Sequence, residues 1–345
     1  QSRPADQIIL IDDGSTDGTA NYLATLPDPP FQIVTLRENI GLAAALNLGL
    51  THCTGDFVAR MDSDDLCLPT RFEKQARLLD ENARLSVINT FIRPMTAEGR
   101  PLAQVTEAPL TTAEMLMQGI FSVPIFHPAC MIRRKALDAL NPVYDPAFTA
   151  GQDFDLWSRL LPHTEAAAVA EPLLLYRKHA AAVSAQKQSQ QMDARRLAGG
   201  RFIGHLLERT RLASWKSEAD TLMRSSLGLE LDDESHRGKS LTRLWTLLAR
   251  WKKENPVAVR PQAVSKLAGR IIRANESHGH RVRFSLQLAR IAPRDVLHRL
   301  RPPKQTSRSP ESPPKELDPL TDELTHLLAR ARSAMQEFSP DSLPS

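Results

Sequence analysis

Phe57-Val58-Ala59-Arg60-Met61-Asp62-Ser63-Asp64-Asp65-Leu66-Cys67-Leu68-Pro69 is the stretch from which the rest of the chain is read. It reads as a short strand that stops at three carboxylates within four positions, followed by a turn and a helix opened by Pro69. Carboxylates at i and i+2 on a strand end repel one another, and a divalent cation with oxygen ligands relieves that repulsion. On these residues alone a turn with capping aspartates stays open as an alternative. A calcium loop, with Asp62, Asp64 and Glu73 at its positions 1, 3 and 12, fails because Leu66 replaces a ligand and Cys67 replaces the obligatory glycine.

Working upstream, Gln7 to Asp12 is a continuous apolar run ending in acid, as expected of a parallel strand covered on both faces. Asp13-Gly14-Ser15-Thr16-Asp17-Gly18 turns it into a helix through about Leu26, with Ser15 or Thr16 as N-cap. A strand at Phe31–Leu36 and a helix from Leu42 to about His52, opened by Asn39-Ile40-Gly41, lead back to Phe57. Downstream, the helix from Pro69 to about Asn82 precedes a strand at Leu85 to about Thr90. Further on come a helix near Ala113–Gln118, a strand at Ala129–Ile132, a helix after Gly151 with Asp153 at its N-terminus, and a strand at Leu173–Tyr176. His127 before Pro128 reads as packing. The alternation implies an α/β fold with a doubly wound, mostly parallel sheet, in which ligands lie beyond the carboxyl ends of the strands. Asp12 and Asp13 end one strand and Asp62 to Asp65 end another, so both acidic groups fall on one edge.

Charge divides the chain. Residues 1–180 hold 15 Lys+Arg against 22 Asp+Glu, residues 181–310 hold 26 against 11, and the remainder 3 against 7. An acidic front is thus joined to a basic and mainly helical middle. Three scattered cysteines, Cys53, Cys67 and Cys130, have neither zinc-ligand nor disulfide-framework spacing and read as free thiols in a reducing, cytoplasmic setting. No apolar run reaches the roughly 20 residues of a membrane span. The basic residues do not interleave with aromatics as in a nucleic-acid module, so no nucleic-acid partner is expected. Basic helical surface around Phe284, Leu288 and Ile291 leaves peripheral contact with the inner face of a membrane open.

Five ordered motifs, Ile11-Asp12-Asp13-Gly14-Ser15-Thr16-Asp17-Gly18-Thr19, Asn39-Ile40-Gly41-Leu42-Ala43, Met61-Asp62-Ser63-Asp64-Asp65, Gln152-Asp153-Phe154-Asp155-Leu156-Trp157 and Tyr176-Arg177-Lys178-His179, together resemble the family 2 glycosyltransferases. The resemblance implies a GT-A fold over residues 1–185, and an inverting enzyme. It implies that Asp12, Asp13, Asn39, Gly41 and Asp62 bind a nucleotide-sugar donor, most simply a UDP-sugar. It also implies that Asp64, with Asp62 and His179, holds Mg²⁺ or Mn²⁺, and that Asp153 is the catalytic base acting on a glycan or lipid-linked acceptor in cell-surface polysaccharide assembly. Against the family pattern, Gln152 stands for Glu, Leu46 for Arg, and the usual opening strand and helix are not seen, which leaves the sheet short of a central strand. The remaining divisions expected are a basic helical domain over 186–301, a Pro/Ser-rich linker over 302–318, and a helix and tail over 319–345. Two other functions stay open: a sugar nucleotidyltransferase, and a non-catalytic scaffold built on the same domain.

Overall fold

The computed structural model describes residues 1–26, 30–179, 188–227, 229, 237–264 and 267. The expected linker, the C-terminal helix and the stripe around Phe284 lie outside these residues. In chain order the elements are β1 (Ile8–Asp12), α1 (Thr19–Leu23), β2 (Phe31–Thr35), α2 (Leu42–His52), β3 (Phe57–Ala59), β4 (Leu66–Cys67), α3 (Arg71–Glu81) and β5 (Leu85–Met95). They continue with α4 (Thr112–Gly119), β6 (Met131–Arg133), α5 (Arg134–Leu137), α6 (Gln152–Leu160) and β7 (Glu165–Arg177). Three further helices follow, α7 (Gln188–Arg209), α8 (Ala219–Leu227) and α9 (Arg237–Glu254). No helix among the described residues is long and apolar enough to cross a membrane.

β1 and β2 form a parallel pair, and the other strands form a sheet in the order β3-β6-β5-β7-β4. The α/β architecture with a mostly parallel sheet is the expected one, and short antiparallel pairings are added to it. Parallel pairing holds for β1–β2 and β5–β7, whereas β6 is antiparallel to both β3 and β5, and β4 is antiparallel to β7. The three-residue β6 is entered from a 3₁₀ turn at His127–Ala129 and not from a helical crossover, so the crossover rule does not set its direction. Because β6 opposes both of its neighbours, β3 points the same way as β5 and β7, and their carboxyl ends share an edge. Among the described residues β1 pairs with β2 alone and β3 with β6 alone.

Three local expectations shift. α1 ends at Leu23 and is capped by neither Ser15 nor Thr16; Asp17 Oδ1 instead accepts from the N–H and hydroxyl of Thr19, at 3.2 and 2.6 Å. β5 and β7 run well past the expected Leu85–Thr90 and Leu173–Tyr176, because each supplies the other's ladder from Leu85↔Glu165 to Met95↔Arg177. Cross-strand partners thus outweigh the prolines inside both strands, with bulges absorbing the irregularity.

β5 is the central strand and its alternate residues face different cores. Val87 packs in the main cluster with Met115, Ile125 and Trp157, and Ile88 packs with Ala76, Leu79 and Met131. The helical stretch that composition separates at residue 186 shares the main cluster, through Phe202, Leu206, Leu244, Leu248 and Trp251. α7 approaches α4 closely because Gly119 has no side chain: a Cβ there would stand 2.5 Å from the Phe202 ring. Burying Phe202 completely contributes about 2–3 kcal/mol.

Candidate active site

The strand order explains where the acidic stretch lies. Between Ala59 and Leu66 the chain passes from one edge strand, β3, to the other, β4, so residues 60–65 run past the entry to β6 and the carboxyl ends of β5 and β7. This crossing is supported from below by α3. Arg71 is fully buried and its Nη2 donates to the carbonyls of Arg60 and Cys130, at 2.8 and 3.0 Å. Its Nε donates to Gln75, which in turn donates to the Ile88 and Ala129 carbonyls at 2.8 and 2.9 Å. Two polar side chains on one helix face thereby satisfy carbonyls from three segments beneath the site.

On this support Asp62, Asp64 and Asp65 each place one carboxylate oxygen within 4.8 Å of the others. Asp62 pairs with Arg60, and Asp64 Oδ2 lies 2.8 Å from His179 Nε2. Asp65 was not among the ligands expected from the sequence, although it adjoins them. Its Oδ1 accepts the Arg177 N–H at 2.8 Å, while its Oδ2 is buried and has no partner among the described residues. Arg177 also donates from Nε to the Asp64 carbonyl at 2.7 Å, so the end of β7 holds the loop in place. Burial, reinforced by Asp62 and Asp64, pushes the Asp65 carboxyl up to about 7 against the opposing Arg177 N–H and Arg60 charge. Oxygen-only donors, one bare buried oxygen and an acid that resists ionising fit a hard divalent cation, which would be held by these three residues.

The first motif splits its two aspartates between tasks. Asp13 accepts the N–H groups of Ile40 and Gly41, at 2.7 and 3.0 Å, and Asn39 Nδ2 donates to the Asp13 carbonyl at 3.0 Å. Asp13 therefore fixes the entry to α2, where Gly41 sits at φ +88, a conformation that favours glycine. Asp12 is buried; its Oδ1 accepts the Ser15 N–H at 3.0 Å and its Oδ2 has no partner among the described residues. Leu46, standing for the usual arginine, packs against the main core.

Asp153 lies in the first turn of α6, after Gly151 at φ +74. It keeps part of its surface open while lying deep among protein atoms. Burial raises its pKa, the Phe154 N–H and the Arg60 charge oppose that rise, and Asp62 adds to it. His127 is buried with Nε2 2.8 Å from the Tyr144 hydroxyl and its ring 5.9 Å from that of Trp157, in keeping with a packing role. Burial, aided by Arg60, holds this imidazole well below its ordinary pKa. The Tyr144 backbone is in turn gripped by Asn47 of α2, through bonds of 2.6 and 2.9 Å. Sequence reading passed over Arg60 and Arg195, whose only signal was their residue type.

An α/β sheet with an acidic crossing at the carboxyl ends of β3, β5 and β7 defines the class: an α/β protein whose polar side chains gather where such sheets bind ligands. The chain belongs to glycosyl transferase family 2, whose family model matches residues 1–140. It is 31% identical over 163 residues to the amylovoran biosynthesis glycosyltransferase AmsE of Erwinia amylovora, covering 47% of this chain and 60% of that protein. It is also 31% identical over 176 residues to the O-antigen biosynthesis glycosyltransferase WbnJ of Escherichia coli, covering 50% of this chain and 67% of that one. The first of these alignments thus spans less than two thirds of the relative. Among solved structures, residues 1–349 of TarS from S. aureus in complex with UDP align at a TM-score of 0.46 and 14% identity, over 82% of this chain and 81% of that one.

Proposed function

We propose that this protein transfers a sugar, with inversion, from a nucleoside diphosphate donor to a hydroxyl of a glycan or lipid-linked acceptor during cell-surface polysaccharide assembly, on the cytoplasmic side. The observation that carries the reading is the cluster of Asp62, Asp64 and Asp65 on the crossing between the two edge strands. Membership of the family supports it. In this reading the unpartnered Asp12 oxygen accepts a hydrogen bond from the nucleoside, while Asp13, Asn39 and Gly41 shape the wall beside it. Asp62, Asp64 and Asp65 hold Mg²⁺ or Mn²⁺, and His179 orients Asp64. A cation held there would supply positive charge for the departing diphosphate. Asp153 takes the proton of the acceptor hydroxyl as its oxygen attacks the anomeric carbon, while the bond to the nucleoside diphosphate breaks on the opposite face. One displacement inverts the centre.

Calorimetric titration of UDP and GDP, with and without Mn²⁺, into the full chain and into Asp64→Ala tests this. Mn²⁺-dependent binding of one nucleotide, reduced at least about tenfold in Asp64→Ala, is expected from loss of one of three carboxylate ligands. Absence of binding by either nucleotide would turn the reading toward a non-catalytic scaffold.

A further inference from the structure

The edge of the sheet opposite the acidic crossing carries a cavity of about 380 Å³, a size at which pockets hold small ligands. It lies between the end of β6, the starts of β5 and β7, and the helices α5 and α6. β5, eleven residues long, runs from this cavity to the aspartate edge, roughly 30 Å at the rise of a strand. Leu140 and Leu160, both part of the main core packing, form an apolar wall. The polar side carries Arg133, Lys135, Arg159 and His163, and no acid lines the cavity among the described residues.

The two arginines are fixed. Arg133 donates to the Leu79 and Leu85 carbonyls, at 2.8 and 3.3 Å, and lies 5.3 Å from the centre of the Phe57 ring, with no carboxylate partner among the described residues. Arg159 shares the single carboxylate of Asp155 with Arg201, so that triad keeps one positive charge. The Lys135 amine, the His163 ring and the Ser86 hydroxyl, by contrast, have no hydrogen-bond partner among the described residues, and Lys135 and His163 are exposed.

We propose that this cavity binds a phosphate monoester. Lys135, Ser86 and His163 donate to its terminal oxygens, Arg133 and Arg159 supply fixed positive charge, and the stem that carries the phosphate lies along Leu140 and Leu160. Positive charge that the fold leaves uncompensated, beside three free donors, matches a group with close to two negative charges and three strong acceptor oxygens. A carboxylate brings only one charge and would leave part of that field unanswered. The site needs neither the acidic cluster nor Asp153, so it stands or falls apart from the transferase reading. A soluble phosphoester and a lipid headgroup present the same chemistry to it.

The test is calorimetric titration of glycerol 3-phosphate into the full chain with EDTA present, so that the cation-free aspartates repel phosphate. Beside it runs co-sedimentation with phosphatidylcholine vesicles, with and without phosphatidic acid. Saturable binding of at least one probe is expected, weakened at least about tenfold in Lys135→Ala by loss of a charge-assisted hydrogen bond. Lys253→Ala, which removes the same charge from an exposed position at the end of α9, is expected to change it little. If Lys135→Ala does not fold, Lys135→Gln, which keeps much of the stem, is read in the same way. Binding of the soluble ester supports a diffusible ligand, and binding confined to phosphatidic acid vesicles supports a lipid headgroup. Equal weakening in the Lys135 and Lys253 variants would mean general surface charge, and no binding of either probe a recess without a ligand; either result overturns the proposal.

Discussion

Asp65 and Asp155 are both almost fully buried, at 3% and 0% exposure, yet they are treated in opposite ways. Asp155 Oδ2 accepts two guanidinium N–H groups from Arg159, at 2.9 and 2.7 Å, and its Oδ1 pairs with Arg201 of α7. Arg159 reaches on to the Pro142 and Val143 carbonyls, so one carboxylate pins α6 to the following helix and to the loop that presents Tyr144. Asp65 has one backbone N–H, a bare oxygen and two neighbouring acids. A buried carboxylate that the fold completes by itself holds structure together; one left incomplete beside like charges suits the cation proposed for it.

The largest effect expected from this contrast is on stability. Asp155→Ala leaves Arg159 and Arg201 facing a vacated, buried position, and removing one partner of such a group costs about 3–5 kcal/mol. Urea unfolding followed by circular dichroism should show a lower midpoint with an unchanged slope. A midpoint within error of wild type would mean that the triad is solvated and that the contrast with Asp65 is false.

Next in size is the pH dependence of cation binding. The Asp65 acid lies near its ordinary value in the unfolded chain and at about 7 when folded. Between those values the folded protein holds a proton that the unfolded chain has released, so cation-free stability falls as pH rises from about 4 to about 7. A bound cation expels that proton, and apparent Mn²⁺ affinity should therefore rise about tenfold per pH unit up to about 7 and level off above it. Calorimetry of MnCl₂ binding at about pH 6, 7 and 8 checks this; a flat affinity would show that Asp65 is ionised throughout.

The same contrast explains what was legible in the sequence. α2 and α3 were readable because apolar period and proline or glycine punctuation agree with their tertiary surroundings, and the acidic crossing was readable because three carboxylates in four positions have few bland explanations. The antiparallel β6 was not, since a three-residue strand carries no period and its direction comes from its neighbours. Nor was the division of labour between Asp12 and Asp13. Adjacent aspartates look alike in sequence, and only the fold decides which one spends its oxygens on the entry to α2 and which keeps one free. Arg60 was hidden for the same reason: an arginine at a strand end is usually a solvated charge, and its burial here follows from the course of the crossing over Arg71.

The smallest effect is the one that separates the two carboxylates most cleanly. Asp65→Asn keeps the shape of the side chain and an acceptor for the Arg177 N–H, but removes a charge that Asp62 and Asp64 oppose. Its amide also supplies donors where the bare oxygen stood, against acidic neighbours that can accept them. Cation-free stability at neutral pH should then change by less than about 1 kcal/mol, toward greater stability, where Asp155→Ala loses several. In the same variant Mn²⁺ binding should weaken at least about tenfold, because a neutral amide is a poorer partner for a hard cation than a carboxylate. Thermal unfolding and calorimetry on one preparation read both numbers. Loss of stability comparable to that of Asp155→Ala would make Asp65 a structural residue, whereas an unchanged fold with lost Mn²⁺ affinity ties its incompleteness to the cation.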